Sequence, residues 1–236
     1  MVYSKVISGI FLSRPNRFIA HVLVDGKEEI VHVKNTGRCK ELLRPGATVY
    51  LYCPPEGSAR KTKYDLIAVR KGERLINMDS QAPNSVAEEW LRSLLPRAKI
   101  RREVPFGASR FDFCIEEEGK TTFLEVKGVT LEENGIAMFP DAPTERGLKH
   151  LRELIRCKEL GYGAAVLFVV KMKGIRCFRP NDRTHAAFGD ALRDAQKAGV
   201  RILVMDCIVE ENTLTICAPI PAELEGHHRT DFPPET

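Results

Sequence analysis

The 236 residues contain no Cys-x-x-Cys pair, no histidines at a metal-ligand spacing and no apolar run near the roughly 20 residues that span a bilayer. The seven cysteines are odd in number and scattered, which argues against a disulfide framework and a zinc site. Most sit among apolar residues and read as small buried hydrophobes. His227-His228, in a polar tail, is the nearest approach to a histidine cluster. The opening Met-Val-Tyr-Ser-Lys-Val lacks the charged-then-apolar layout of a secretion signal, so a cytoplasmic protein with no membrane segment is expected. Neither sign of charge dominates: the net charge of +4 permits a polyanionic partner without demanding one. A hydrophobic content of 43% supports a packed core and excludes wholesale disorder.

What is present falls into two parts. Residues 1–80 carry short β-branched runs at 5–12, 18–24, 29–33, 48–52 and 63–70. Asp25-Gly26 and Pro45-Gly46 turn the chain between runs, and a short helix is expected over 38–43. Five strands with a helix between the third and fourth is the order of an OB-type barrel, a fold that often holds single-stranded nucleic acid or oligosaccharide. Residues 81–218 alternate differently. A helix capped by Asn84 or Ser85 runs to about 95, a strand and a hairpin follow, and Pro143-Thr144 opens a helix to 160 with Leu148, Leu151, Leu154, Ile155 and Leu160 on one stripe. Residues 164–170 and 200–205 are apolar without alternation, as strands buried on both faces are. A third helix is expected over 184–197. This α-β-β-β-α-β-α-β order is that of a restriction-endonuclease-like, PD-(D/E)xK, mixed sheet. The tail, 219–236, is rich in Pro, Glu and His and reads as loose.

The most informative stretch is the hairpin. With Glu118-Gly119 as a two-residue loop, Glu117 faces Lys120, Phe113 faces Leu124 and Asp112 lies opposite Glu125. Alternation then puts Phe111, Phe113, Leu124 and Val126 on one face and Asp112, Glu125 and Lys127 on the other. Facing carboxylates repel unless a cation or proton lies between them. A lysine over the same site suits a group that holds a phosphate or activates water. Strand faces carry such residues routinely, and the D…ExK pattern alone is weak. The predicted register, the anchored apolar face and the following α/β scaffold favour the site.

Asn35-Thr-Gly37, Pro45-Gly46, Ser109-Arg-Phe-Asp-Phe113, Glu125-Val-Lys127 and above all the run from Phe139 to Leu154 (FPDAPTERGLKHLREL) resemble the sugar fermentation stimulation protein A family over about 17–204. The resemblance implies an OB domain joined to a nuclease-like domain, and a DNA-binding role. It leaves open whether DNA is cut. Around Asn35 this chain departs from the common pattern: Val33-Lys34 stands in place of Cys-Pro and Arg38-Cys39 in place of Ser-Met, which makes the loop more basic.

On these readings Asp112 and Glu125 are metal ligands with the Val126 carbonyl as a third, and Glu88 is a further candidate that reads equally as an exposed helix acid. Oxygen ligands point to Mg²⁺ or Mn²⁺. Lys127 orients water or stabilises charge on the phosphate, and His150 is an auxiliary catalytic group. Arg14, Arg17, Asn35, Arg38, Arg60, Lys61, Lys63, Arg110 and Arg146 are candidates for nucleic-acid contact. Lys40 is a further basic residue of the first part. Phe18, Tyr50, Tyr52 and Tyr64 are candidate stacking platforms, of which one or two are expected at the surface. Glu145 and Lys149 are spaced for an ion pair worth about 0.3 kcal/mol. Three functions compete: a metal-dependent DNA nuclease, a DNA-binding regulator that uses the nuclease fold as a clamp, and an OB module for oligosaccharide. Cutting both strands of a duplex would call for a dimer, but no interface is legible.

Overall fold

Two left-handed residues in a row, Asp25 and Gly26 with φ of 48° and 76°, close the first hairpin in the geometry that matches the twist of its strands. The computed structural model describes residues 1–35, 37, 39–55 and 61–225. Strands β1 (Val6–Ser13), β2 (Ile19–Val24), β3 (Lys27–Val33), β4 (Thr48–Tyr52) and β5 (Asp65–Lys71) pair in the order β3-β2-β1-β4-β5. A parallel pairing of β3 with β5, His32 to Asp65 and Val33 to Leu66, closes the five strands into a barrel. Phe11, Val22, Val31, Val49, Leu51 and Leu66 fill it. An unanticipated strand, β6 (Arg74–Asn77), pairs with β5 and leads into the second half. Of the helix expected over 38–43, the described residues 39–43 form none. Residues 40–42 turn instead, with the N–H groups of Leu42 and Leu43 both on the Cys39 carbonyl, and Pro45 follows too closely for a helix to extend.

The second half comprises α1 (Ala82–Leu94), β7 (Lys99–Phe106), β8 (Ser109–Glu117), β9 (Lys120–Val129), β10 (Leu131–Glu133), β11 (Ile136–Phe139), α2 (Glu145–Glu159), β12 (Gly163–Val170), β13 (Cys177–Pro180), α3 (Asp182–Lys197), β14 (Arg201–Val209) and β15 (Leu214–Pro219). Its main sheet runs β15-β14-β12-β9-β8-β7, parallel through β14-β12-β9 and antiparallel outside them. β12 is buried along all but its first residue, so both faces of the sheet are covered. On one face α1 packs with Phe113, Leu124, Val126, Leu167 and Val169; on the other, α2 and α3 pack with Phe123, Val166, Phe168 and Phe188. β10, β11 and β13 form a small second sheet that was not anticipated.

Several expectations are corrected. α1 starts at Ala82, before Asn84, with Pro83 in its first turn where a missing N–H costs nothing. Asn84 is therefore inside the helix and not its cap. Leu160 is 58% exposed, because α2 ends at Glu159 and the chain reverses at Gly161 with φ 82°. The tail is not loose from 219: Ile220 and Leu224 are buried, Ile220 N–H donates to the Val204 carbonyl, and Ala222 bridges Phe178. Of the tail, residues 226–236 lie outside the described residues.

The halves are tied together. Asn77 N–H donates to the Lys171 carbonyl at 3.0 Å, and Lys71 and Arg74 reach the buried Glu132 at 2.9 and 2.7 Å. Among the described residues no helix is long and apolar enough to cross a membrane.

Candidate metal-dependent active site

The hairpin forms in the expected register: Glu117 pairs with Lys120 and Phe113 with Leu124, and Glu118 and Gly119 turn with φ of 48° and 75°. The ladder between β8 and β9 ends at Phe113 and Leu124, while β9 stays paired to β12 as far as Val129. Beyond that point the two strands part. Asp112 fills the gap, its Oδ2 accepting the Val126 N–H at 2.8 Å in place of a ladder carbonyl. Its Oδ1 accepts from Asn84 Nδ2 of α1, also at 2.8 Å. The same divergence corrects the facing assigned to Phe111. Glu103, with φ 53°, kinks β7 where β8 leaves β9, and Phe111 turns to the α2 face, against Phe106, Phe123 and His150.

Glu125 is 3% exposed. Its Oε1 receives Lys127 Nζ at 2.5 Å and a short contact from His150 Nδ1 on α2. Its Oε2 is buried and has no hydrogen-bond partner among the described residues. Burial is the largest influence on Glu125 and would raise its pKa, but His150 and Lys127 outweigh it and hold the carboxyl below its usual range. Asp112 goes the other way, raised by burial and then by the neighbouring Glu125. Two adjacent carboxyls pushed apart in this manner form an asymmetric pair, one held ionised and one inclined to keep a proton.

Asp112, Glu125, Lys127 and His150 are thus brought together. Glu88 is not: Arg92 and Arg102 take its two oxygens at 2.7 and 2.9 Å, and the position on α1 that meets Asp112 belongs to Asn84, one turn earlier. Among the described residues no three or more His, Cys, Asp or Glu side chains are grouped to hold a metal ion. A divalent ion there would have two carboxylates and would complete its shell from backbone oxygen, water or substrate, as Mg²⁺ commonly does. The partnerless Glu125 Oε2 beside Asp112 fits that role.

The basic residues divide. Arg14 is committed to structure, donating to the carbonyls of Gly37, Arg17 and Asn35. Asn35 Oδ1 accepts the Gly37 N–H at 2.8 Å, a local structural role for the Asn35 side chain. Arg17 lies over Phe18, which is 49% exposed, whereas Tyr50 and Tyr64 are buried; Phe18 is the one surface platform of the four. Lys61 is exposed, Lys63 approaches Glu29 at 3.6 Å, and Arg110 pairs with Glu103 at 2.8 Å. Arg146 is exposed, while His150, one turn on, is buried, so the two do not share a surface. Lys149 donates to the Ala108 carbonyl and Glu145 faces His185, so the expected pair between them is absent. Arg38 and Arg60 lie outside the described residues.

Sequence reading missed Asn84, Lys171 and Asp141. Asn84 was read as a cap, and a lone lysine after an apolar strand gives no signal of burial.

Comparison with known proteins follows the same division of the chain. Residues 12–78 match the family model described as the SfsA N-terminal OB domain, and 81–213 the one described as the sugar fermentation stimulation protein RE domain. The chain belongs to the sugar fermentation stimulation protein family. A relative named sugar fermentation stimulation protein homolog from Desulfitobacterium hafniense is 58% identical over 216 residues, covering 91% of this chain and 94% of its own. One from Clostridium beijerinckii is 53% identical over 219 residues, covering 92% and 96%. A solved structure, Pyrococcus furiosus SfsA in complex with Ca²⁺, superposes with a TM-score of 0.84 at 29% identity, over 94% of this family member and 98% of that chain.

Proposed function

We propose that this chain binds DNA and cleaves it as a divalent-cation-dependent phosphodiesterase, with Mg²⁺ or Mn²⁺ at Asp112 and Glu125. The observation that carries the reading is Glu125 itself. One oxygen is fixed by Lys127 and His150, and the other is buried with no partner among the described residues, on a side chain whose charge bears on Asp112. Leaving a buried carboxylate oxygen unsatisfied costs stability unless something completes it. The Pyrococcus relative, solved in complex with Ca²⁺, supports a divalent ion as that completion. When bound, such an ion would polarise the phosphate and lower the pKa of water.

The residues of the chain supply the rest. Asn84 and the Val126 N–H orient Asp112, and His150 orients Glu125. Lys127 lies close enough to the pair to transfer its hydrogen bond from Glu125 to a phosphate oxygen as charge develops there. Arg17, Lys40 and Lys61, exposed on the barrel, supply positive charge for a nucleic-acid backbone, and Phe18 a surface for a base.

The test is cleavage of labelled single- and double-stranded DNA with Mg²⁺ or Mn²⁺, beside EDTA and the Lys127→Ala, Asp112→Asn and Glu125→Gln variants. Metal-dependent cutting, lost in the variants, is the expected result. Salt-sensitive binding without cutting, equal in wild type and variants, would leave the chain a DNA clamp. Salt-insensitive binding of oligosaccharide would refute the DNA reading.

A further inference from the structure

A cavity of about 210 Å³ lies between the barrel and the second half, immediately beside the carboxylate pair. Asn35, Gly37 and Ser80 wall it from the barrel side, and Asn84 and Val126, both hydrogen-bonded to Asp112, form part of its other wall. Its chemistry is set by Lys171. This side chain is 2% exposed, and its ammonium donates to the Asp79 carbonyl at 3.1 Å, its one hydrogen-bond acceptor among the described residues. An ammonium carries three donors. The Asp79 carboxylate is engaged elsewhere, by Lys34 at 3.1 Å and the Tyr3 hydroxyl at 3.2 Å. The Asp79 charge is thus shared between Lys34 and Lys171, and two of the three ammonium donors of Lys171 are unfilled among the described residues; an anionic ligand would complete them.

A second observation points the same way. α1, 13 residues long, begins at this wall through Pro83 and Asn84, and its first turn has neither an acidic residue nor a side-chain cap. Asp79 takes the N–H groups of Gln81 and Ala82, and Pro83 has none, so what the helix offers an anion at this wall is the field of its dipole, partly offset by the Asp79 carboxylate. Met138 and Phe139 add an apolar wall. Gly128 keeps the space open: a Cβ there would sit 2.7 Å from Pro83 Cγ and 3.5 Å from Lys171 Cε. Asp141, exposed and also lining the cavity, opposes an anion and weakens its binding.

We propose that this cavity binds a phosphate monoester, its head between Lys171 and the start of α1 and its organic part against Met138 and Phe139. A monoester is favoured over an internal diester because about 210 Å³ suits a phosphate with one modest organic group better than one with two. The phosphate comes either from the end of a nucleic-acid strand or from a free phosphorylated small molecule. The first source rests on the phosphodiesterase reading; the anion site does not.

The experiment is titration calorimetry on the full chain in EDTA. The probes are inorganic phosphate, a nucleoside monophosphate, and oligonucleotides ending in phosphate or hydroxyl. Wild type is expected to bind phosphate and the monophosphate, Lys171→Met to weaken both about tenfold or more, and Asp141→Asn to tighten both several-fold. Asp141 is exposed, so that variant remains informative if Lys171→Met does not fold. Preference for a phosphorylated strand end over the free monophosphate assigns the strand as source; the reverse assigns a small molecule. No binding of phosphate or monophosphate at millimolar concentration, or no tightening in Asp141→Asn, overturns the proposal. Because no metal is present, failure of DNA cleavage leaves these outcomes unaffected.

Discussion

Asn84 Nδ2 donates to Asp112 Oδ1 at 2.8 Å, and this bond locks the first turn of α1 to the strand that leaves the sheet. With the Val126 N–H on the other oxygen, Asp112 is oriented from helix and strand together. Groups that orient a ligand typically contribute one to two orders of magnitude to metal affinity. Asn84→Ala is therefore expected to weaken Mn²⁺ binding by about tenfold, measured by calorimetry, while the fold is retained. Unchanged affinity would mean that Asp112 does not hold the ion.

Glu125 contributes to stability through its charge. Its folded pKa lies below the ordinary carboxylate value, so the contribution is present above that value and is lost as pH falls through the lowered one. Glu125→Gln removes the charge that His150 and Lys127 surround. It should cost about 3 kcal/mol at neutral pH in urea unfolding, because the largely buried Lys127 ammonium loses its counter-charge and His150 its carboxylate partner. The gap between variant and wild type should narrow as pH falls below the ordinary carboxylate range, because the wild-type carboxyl then also takes a proton. A gap independent of pH would assign the loss to packing.

The hairpin register, the barrel strands and the helix-strand alternation were legible because each rests on local pattern: positive-φ turns at Asp25-Gly26 and Glu118-Gly119, and period-two burial around them. Asp112, Glu125 and Lys127 followed from that register. What was not legible depends on distant contacts. The facing of Phe111 turns on where β8 parts from β9, and the fate of Glu88 on Arg102 arriving from β7. The buried Lys171 depends on how the barrel closes against β12, a relation no window of sequence encodes. The packed residues 219–225 were hidden by a polar, proline-rich composition, although Ile220 and Leu224 carry the burial.

Gly128 faces α1, where an added Cβ would stand 2.7 Å from Pro83 Cγ. Neither partner is a flexible side chain, since one is a strand backbone and the other a ring. Gly128→Ala is expected to cost about 1–3 kcal/mol by overpacking, read as a lower urea midpoint at unchanged slope. Because α1 also carries Asn84, the displacement should weaken Mn²⁺ binding in the same variant. A full loss of stability with intact metal affinity would separate helix packing from the orientation of Asp112.

Lys171 gives the clearest signature in pH. Burial lowers its pKa from 10.5 to about 8, against the opposing pull of the Asp79 and Asp141 carboxylates. Cys39 and Cys207 are pushed up to about 12, so neither changes charge across that window. Between about pH 8 and 10.5 the unfolded chain holds a proton at this lysine that the folded one has released, so stability from this group rises with pH. Lys171→Met, which lacks the group, should show no such rise, and the difference between the two proteins should shift by about 3 kcal/mol over the window in matched urea unfolding. Saturating phosphate should flatten the wild-type rise, because a bound anion holds the ammonium charged. A wild type that loses stability relative to Lys171→Met as pH climbs would show instead that the ammonium already has a counter-charge in the protein.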